Sequence, residues 1–162
     1  MAVGCFGLAN WSPPVRGGPL QISELVGKGD PTRRASTRLV ARGLAAGDPQ
    51  RSLTYFERAI KIDTTNPYAY LALASYEIQW GDVERGLQSL GQTELLLESQ
   101  QLKSPRVEPH LAGLHGRARV RMGRDQRGGR ARFSEGEELL ERARRLAPDV
   151  WDDGWLSASE LK

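Results

Sequence analysis

The sequence predicts an all-α protein built from helical hairpins that repeat along the chain. Leucine, with 21 copies, outnumbers valine and isoleucine together, and these β-branched residues are the ones that strands favour. When the chain is compared with itself after a shift of 34 residues, similar residues coincide on both sides of a Gly-Asp pair. Asp-Pro and Asn-Pro pairs, which are typical of helix starts, punctuate the same stretch.

The length and composition are those of one folded domain. The chain has 162 residues, which is enough for a single hydrophobic core, and its apolar content is ordinary. No apolar run reaches the roughly 18 residues that a membrane-spanning helix needs. The single cysteine excludes an internal disulfide framework.

The shift of 34 residues relates two predicted hairpins, each with two helices around a Gly-Asp turn. It superposes Ala35 on Ala69, Leu39 on Leu73, Gly47 on Gly81, Asp48 on Asp82, Leu53 on Leu87 and Phe56 on Leu90. We expect each glycine to end the first helix in the left-handed conformation and each aspartate to cap the second helix.

Helix starts are predicted at three dipeptides, Asp30-Pro31, Asp48-Pro49 and Asn66-Pro67. In each pair a side-chain oxygen is available at the N-cap, and proline occupies the first helical position, where its missing N–H costs nothing.

Apolar residues recur at helical spacing on one side of each predicted helix. The four stripes are Leu39, Val40 and Leu44; Leu53, Phe56, Ala59 and Ile60; Tyr70, Leu73, Ala74 and Ile78; and Val83, Leu87 and Leu90. Because a single hairpin cannot bury its stripe, neighbouring hairpins must stack.

The segment 47–87 resembles tetratricopeptide repeats, which are 34 residues long. In that register the first repeat covers residues 33–66 and the second covers 67–100. The family's characteristic positions hold Leu39, Ser52, Phe56 and Ala59 in the first repeat and Tyr70, Leu73, Ala74, Gly86 and Leu90 in the second. The resemblance implies a right-handed α-solenoid of about three helical hairpins.

A third, degenerate repeat is expected at about residues 106–148. Its first helix would present Leu111, Leu114, Ala118 and Met122, and an irregular insert would follow near 123–132. Ser134 and Glu137 predict a capping box at the start of the last helix. On that helix Glu138 with Arg142, and Glu141 with Arg145, have the spacing of favourable ion pairs.

The resemblance also implies a function, which is noncovalent binding of another protein, as a scaffold or adaptor. A peptide or helix would lie in a concave groove formed by the first helices of the repeats. The groove positions implied for this chain are Arg34, Thr37, Ala41, Ala45, Tyr68, Leu71, Ser75 and Gln79. In this register Tyr68 and Leu71 are expected to be exposed in the groove, whereas Tyr70 and Leu73 should face the core.

The charge pattern argues against nucleic acid as a partner. Seven arginines fall between Arg117 and Arg132 with no aromatic residue among them for base stacking. Two consecutive glycines, Gly128 and Gly129, lie in the same stretch. The sequence therefore predicts a solvated basic loop.

No residue pattern indicates an enzyme, a cofactor or a metal centre in the repeats. The phosphate-binding glycine motifs and the zinc-protease and esterase motifs are absent from the sequence. His110 and His115 are five residues apart and would point in different directions from one helix. Cys5 is far in sequence from both histidines, which disfavours a catalytic dyad.

The two ends of the chain carry their own predictions. Residues 1–29 are interpreted as a flexible leader, and residues 149–162, with Trp151 and Trp155, as a segment that caps the stack. The window 149–160 resembles an EF-hand calcium loop, so the alternative function is that of a calcium-responsive or regulatory protein.

The localisation expected from the sequence as given is cytoplasmic. Ala2, Val3 and Gly4 before Cys5 are similar to the end of a bacterial lipoprotein signal. If an upstream signal is missing, the alternative is a cell-envelope lipoprotein with a lipid anchor at Cys5.

Overall fold

A computed structural model describes residues 30–125 and 129–148. These residues form six helices and no strand, which confirms the predicted all-α class. The helices are α1 (Pro31–Leu44), α2 (Pro49–Ile62), α3 (Pro67–Trp80), α4 (Val83–Ser99), α5 (Glu108–Asp125) and α6 (Arg130–Leu146). They pack as three successive hairpins, α1–α2, α3–α4 and α5–α6, in a solenoid-type arrangement.

Short polar side chains begin the first four helices. Asp30, Asp48 and Asn66 accept hydrogen bonds from the backbone N–H two residues later, at 2.8, 2.8 and 3.1 Å. A proline follows each of these caps at the start of its helix, as predicted. Asp82 caps α4 by accepting from the Arg85 N–H at 3.0 Å.

The two Gly-Asp turns differ in backbone conformation. Gly47 has a φ of 65°, which is the predicted left-handed conformation. The same prediction is wrong for Gly81, whose φ is −112°. Only two residues join α3 to α4, and a Cβ atom on Gly81 would lie 1.9 Å from Glu77 Oε2. That carboxylate accepts a hydrogen bond from the Asp82 N–H at 2.9 Å, so a side chain at position 81 would displace the Glu77 carboxylate from this bond.

Longer helices in the third hairpin replace the irregular insert expected near 123–132. α5 has 18 residues and α6 has 17, against 14 in each of the first three helices. Residues 123–125 and 130–132 are helical, so the expected insert is wrong for them. Arginine and alanine at 130–132 are good helix formers. The capping box is also wrong, because Ser134 lies inside α6, which begins at Arg130.

The core runs through all three hairpins and is centred on α3, which contacts α1, α2, α4 and α5. The largest completely or almost completely buried side chains are those of Tyr68, Phe56, Leu71, Leu90, Leu97, Leu114, Val40 and Val107.

Serine hydroxyl groups form buried hydrogen bonds where the first helices lie close together. The Ser36 hydroxyl donates to the Ala59 carbonyl at 2.8 Å and accepts from the Asn66 amide at 2.9 Å. The Ser52 hydroxyl donates to the Gly43 carbonyl at 2.7 Å. These buried polar groups are therefore paired, as low-dielectric surroundings require.

A polar staple, formed by Arg33, Asp63, Thr65 and Gln100, ties three helices together at one end of the hairpins. The Arg33 guanidinium pairs with the Asp63 carboxylate and donates to Gln100 Oε1 at 3.1 Å. Arg33 Nη2 and Gln100 Nε2 both donate to the Thr65 carbonyl, at 2.9 and 2.7 Å. Burial raises the pKa of Asp63, but hydrogen bonds from Arg33 and Thr65 outweigh that effect and leave the pKa below its usual value.

Candidate docking surfaces

The residues predicted to line a concave groove fall into a buried set and a more exposed set. Tyr68, Leu71, Ser75 and Thr37 are at most 7% exposed. Arg34 is exposed at the surface of α1, and Gln79 is half-buried near the end of α3. The expectation that Tyr68 and Leu71 are exposed is therefore wrong.

The position of α3 explains this correction. α3 carries apolar residues on every side, and such a helix belongs in a core. Four helices contact it, so the face that the repeat register assigned to the groove is covered. Tyr70 and Leu73, for which the register predicts the core side, are half-buried, and Leu73 packs against the core.

An apolar cleft opens between α4 and α5, on a part of the molecule that the sequence analysis did not single out. Its volume is about 870 Å³, within the range of small-molecule and side-chain pockets. Leu97 and Val107 form its floor and are 0% and 1% exposed, whereas Leu95 lies at its edge and is 64% exposed. Pro105 and Leu111 complete its apolar lining.

The connection between α4 and α5 builds this cleft. α4 ends in a Schellman motif, in which Gln101 has a φ of 56° and the Leu102 N–H donates to the Leu97 carbonyl at 2.8 Å. The Ser104 carbonyl then accepts from the N–H groups of Val107 and Glu108, at 3.0 and 3.3 Å, as the chain turns into α5. Lys103, Ser104 and Pro105 of this connection line the cleft together with residues of α4 and α5.

Carboxylates surround the apolar cleft. Glu98 pairs with Lys103 at 3.6 Å, Glu94 contacts His115 at 3.2 Å, and Glu108 pairs with Arg142. All three glutamates line the cleft, and Lys103 is the only basic residue among its described lining residues. The cleft therefore combines an apolar floor with an acidic edge.

The second surface, which we call the arginine cavity, lies between the end of α3, α5 and α6. Its volume is about 590 Å³. Its described lining consists of Arg117, Arg121, Arg124, Arg144, Glu137, Gln79, Ile78, Val120 and Leu140. Of the residues predicted for the groove, Gln79 is the one that lines it.

Two of these arginines are held in place by groups that carry no charge. Arg121 donates to the carbonyls of Ile78 and Gly81, at 2.9 and 3.0 Å, and so caps the C-terminal end of α3. The Arg124 guanidinium lies 5.8 Å from the centre of the Phe133 ring. The predicted solvated loop is wrong for residues 117–124. These residues, including Arg121 and Arg124, belong to α5.

The two histidines of α5 have different surroundings. His110 is 6% exposed, and burial lowers its pKa to about 4. His115 is half-buried beside Glu94. Among residues 30–125 and 129–148 no group of three or more His, Cys, Asp or Glu side chains is arranged to hold a metal ion.

Other sequence predictions lie outside the described residues. These are the leader at 1–29, the lipid anchor at Cys5, the cap at 149–162 and the calcium window at 149–160. Of the helices that the structure describes, none has the length and apolar character needed to cross a membrane.

Comparison with known proteins gives no relative for this chain. No family model, curated protein or solved structure matches it.

Proposed function

We propose that this chain is a tetratricopeptide-type helical-repeat module that binds another protein noncovalently. The observation that carries the proposal is the apolar cleft between α4 and α5, with Leu95 exposed at its edge over a buried floor of Leu97 and Val107. An apolar depression with an acidic edge is suited to an apolar side chain from a partner. The 34-residue repeat in the sequence and the succession of hairpins support the family assignment.

The chemistry of the cleft defines the partner segment. An apolar anchor, such as leucine or phenylalanine, would fill the space above Leu97 and Val107, where a single anchor contributes about 2 kcal/mol or more. Lysine or arginine beside that anchor would share or replace the surface contacts that Glu94, Glu98 and Glu108 make with His115, Lys103 and Arg142. The partner is therefore a short helical or extended segment with one large apolar residue flanked by basic residues.

A peptide-display selection tests this proposal. Selection against the full chain should enrich peptides that combine an apolar anchor with adjacent lysine or arginine. Leu95→Asp should weaken the selected peptides at least tenfold, because it puts a charge at the edge of the apolar contact. Leu146→Asp is the matched control, since Leu146 is 48% exposed on α6 and does not line the cleft.

The contrary result is equally specific. If the enriched peptides bind Leu95→Asp as tightly as the unmodified chain, or lack an apolar residue, the cleft is not a docking site. Arg34→Glu distinguishes the alternative surface, since Arg34 is the charged residue among the exposed groove residues predicted on α1. Loss of peptide binding in Arg34→Glu together with retention in Leu95→Asp would assign binding to that surface.

A further inference from the structure

The arginine cavity concentrates positive charge in one depression. Four guanidinium groups line it, from Arg117, Arg121 and Arg124 on α5 and from Arg144 on α6, and Glu137 is the only carboxylate among its described lining residues. Arg117, Arg121 and Arg124 lie at helical positions i, i+4 and i+7, which brings them to one face of α5. The lining therefore carries an excess of positive charge.

Two carboxylates of α6, those of Glu135 and Glu141, are engaged with arginines that do not line the cavity. Glu135 pairs with Arg119 at 2.9 Å, and Glu141 pairs with Arg145 at 3.3 Å. The contacts that position Arg121 are made with carbonyl oxygens at the C-terminal end of α3, so they orient its guanidinium without pairing it to a carboxylate. The contact of Arg124 with the Phe133 ring likewise leaves a full positive charge at the cavity.

We propose that the arginine cavity binds a small, multivalent oxyanion. Guanidinium groups recognise phosphate and carboxylate through paired N–H donors, and a group already oriented loses less entropy on binding. The ligand should carry several negative charges, because the described lining holds four arginines and one glutamate. Condensed phosphates and polycarboxylates share this chemistry and are the two sources that the experiment distinguishes.

The shape of the cavity favours a small molecule over nucleic acid. The arginines surround a depression of about 590 Å³, whereas nucleic-acid binders spread basic residues along an open face. Phe133 is half-buried and already lies beside Arg124, so less of its ring is available for base stacking.

Titration calorimetry of the full chain at fixed ionic strength tests this inference, with tripolyphosphate and citrate as probes. Arg124→Gln and Arg144→Gln should each reduce affinity for the tighter probe at least tenfold. Both arginines are exposed, and circular dichroism will verify that the variants retain their helices. Arg145→Gln is the matched control, because it removes the same charge from the next residue of α6, outside the cavity lining, and should change affinity less than twofold.

The relative affinity of the two probes identifies the source of the oxyanion. Tighter binding of tripolyphosphate assigns the site to condensed phosphates, and tighter binding of citrate assigns it to polycarboxylates. The inference is overturned if neither probe binds, if Arg144→Gln and Arg145→Gln have equal effects, or if a short DNA duplex binds more tightly than both probes. Leu95→Asp should leave oxyanion binding intact, so this result is independent of the proposed peptide cleft.

Discussion

The first two hairpins and the third hairpin bring their helices together by different means. Phe56 of α2 packs against Gly43 of α1, and Ile78 of α3 packs against Gly86 of α4, so a side chain from one helix fills the space above a glycine of the other. In the third hairpin two glycines meet: a Cβ on Gly116 would lie 2.8 Å from the Gly136 carbonyl oxygen, and a Cβ on Gly136 would lie 2.7 Å from that of Gly116.

The packing of two helices in a hairpin can therefore depend on a buried side chain in one hairpin and on close contact of the two backbones in another. The first two hairpins contain most of the buried apolar residues and the polar staple. The third hairpin has a shorter set of buried side chains, among them Leu114, Val120 and Leu140. The stability of the third hairpin should therefore be lowered more by atoms added at its glycines than by atoms removed from its side chains.

The largest effect is expected from Phe56→Ala in the first hairpin. Phe56 is fully buried against Gly43, so truncation should lower the free energy of unfolding by about 3–5 kcal/mol. Denaturant titration followed by circular dichroism measures the loss. Leu73→Ala is the comparison, because Leu73 is half-buried and should lose less. Equal losses in the two variants would contradict the assignment of Phe56 to the core.

Acid should affect the third hairpin first, through His110. The pKa of His110 is about 4 in the folded chain, against 6.5 for an unperturbed histidine, so between these pH values only the unfolded chain takes up the proton. Above pH 6.5 His110 is neutral in both states and has no effect on stability. As the pH drops to 4, the free energy of unfolding falls by about 3 kcal/mol. Unfolding free energies measured at pH 7 and at pH 5 test this, and His110→Gln should flatten the profile. The same pH dependence in wild type and variant would exclude His110 as its source.

Adding a single methyl group should distinguish the third hairpin from an open helix surface. Gly136→Ala forces a Cβ against the backbone of α5 and should cost about 2 kcal/mol. Gly91→Ala on α4 is the control, because a Cβ there meets nothing within 4 Å and should stabilise the chain by up to about 1 kcal/mol. Thermal melts of both variants provide the comparison, and a neutral Gly136→Ala would mean that α5 and α6 are farther apart than described.

The smallest effect is expected from the polar staple of the first two hairpins. Arg33→Gln removes the ion pair with Asp63 and should cost about 1.5 kcal/mol at neutral pH. Folding lowers the pKa of Asp63, so the ion pair stabilises the folded chain above the unfolded pKa of 3.8. This contribution is lost as the pH falls through the lower pKa that Asp63 has in the folded chain. The difference in stability between wild type and Arg33→Gln should therefore shrink in strong acid to the part that the hydrogen bonds of Arg33 to Thr65 and Gln100 contribute, as chemical denaturation at pH 2 and pH 7 can show. Arg38→Gln, at an exposed position of α1, should behave as wild type at both pH values.

The sequence predicts local features of this fold better than long-range ones. The caps at Asp30, Asp48 and Asn66 act on the backbone two residues away, so a dipeptide is sufficient to identify them. Burial of Tyr68 and Leu71 depends on how α1 and α5 lie against α3, and the repeat register carries no information about that. The apolar character of α3 on all sides was the available signal.

The two candidate surfaces were missed for different reasons. The arginine cavity has a signal in the sequence, namely the helical spacing of Arg117, Arg121 and Arg124, but the nearby glycines suggested a loop. Gly123 lies inside α5, where α5 and α6 come close together. A Cβ at this position would lie 2.8 Å from the Phe133 nitrogen, so the close contact favours glycine. The apolar cleft has a weaker signal, because Leu95, Leu96 and Leu97 are consecutive and the sequence alone does not show which one is left exposed.

The cleft between α4 and α5 also bears on the motions of the chain. α5 packs mainly on α6, and much less on α4, so separation of the third hairpin from the second disrupts few of the third hairpin's own contacts. Local opening of this kind costs less free energy than global unfolding. Such an opening would bend the chain between Gln100, which belongs to the polar staple, and the buried Val107, and it would widen the cleft.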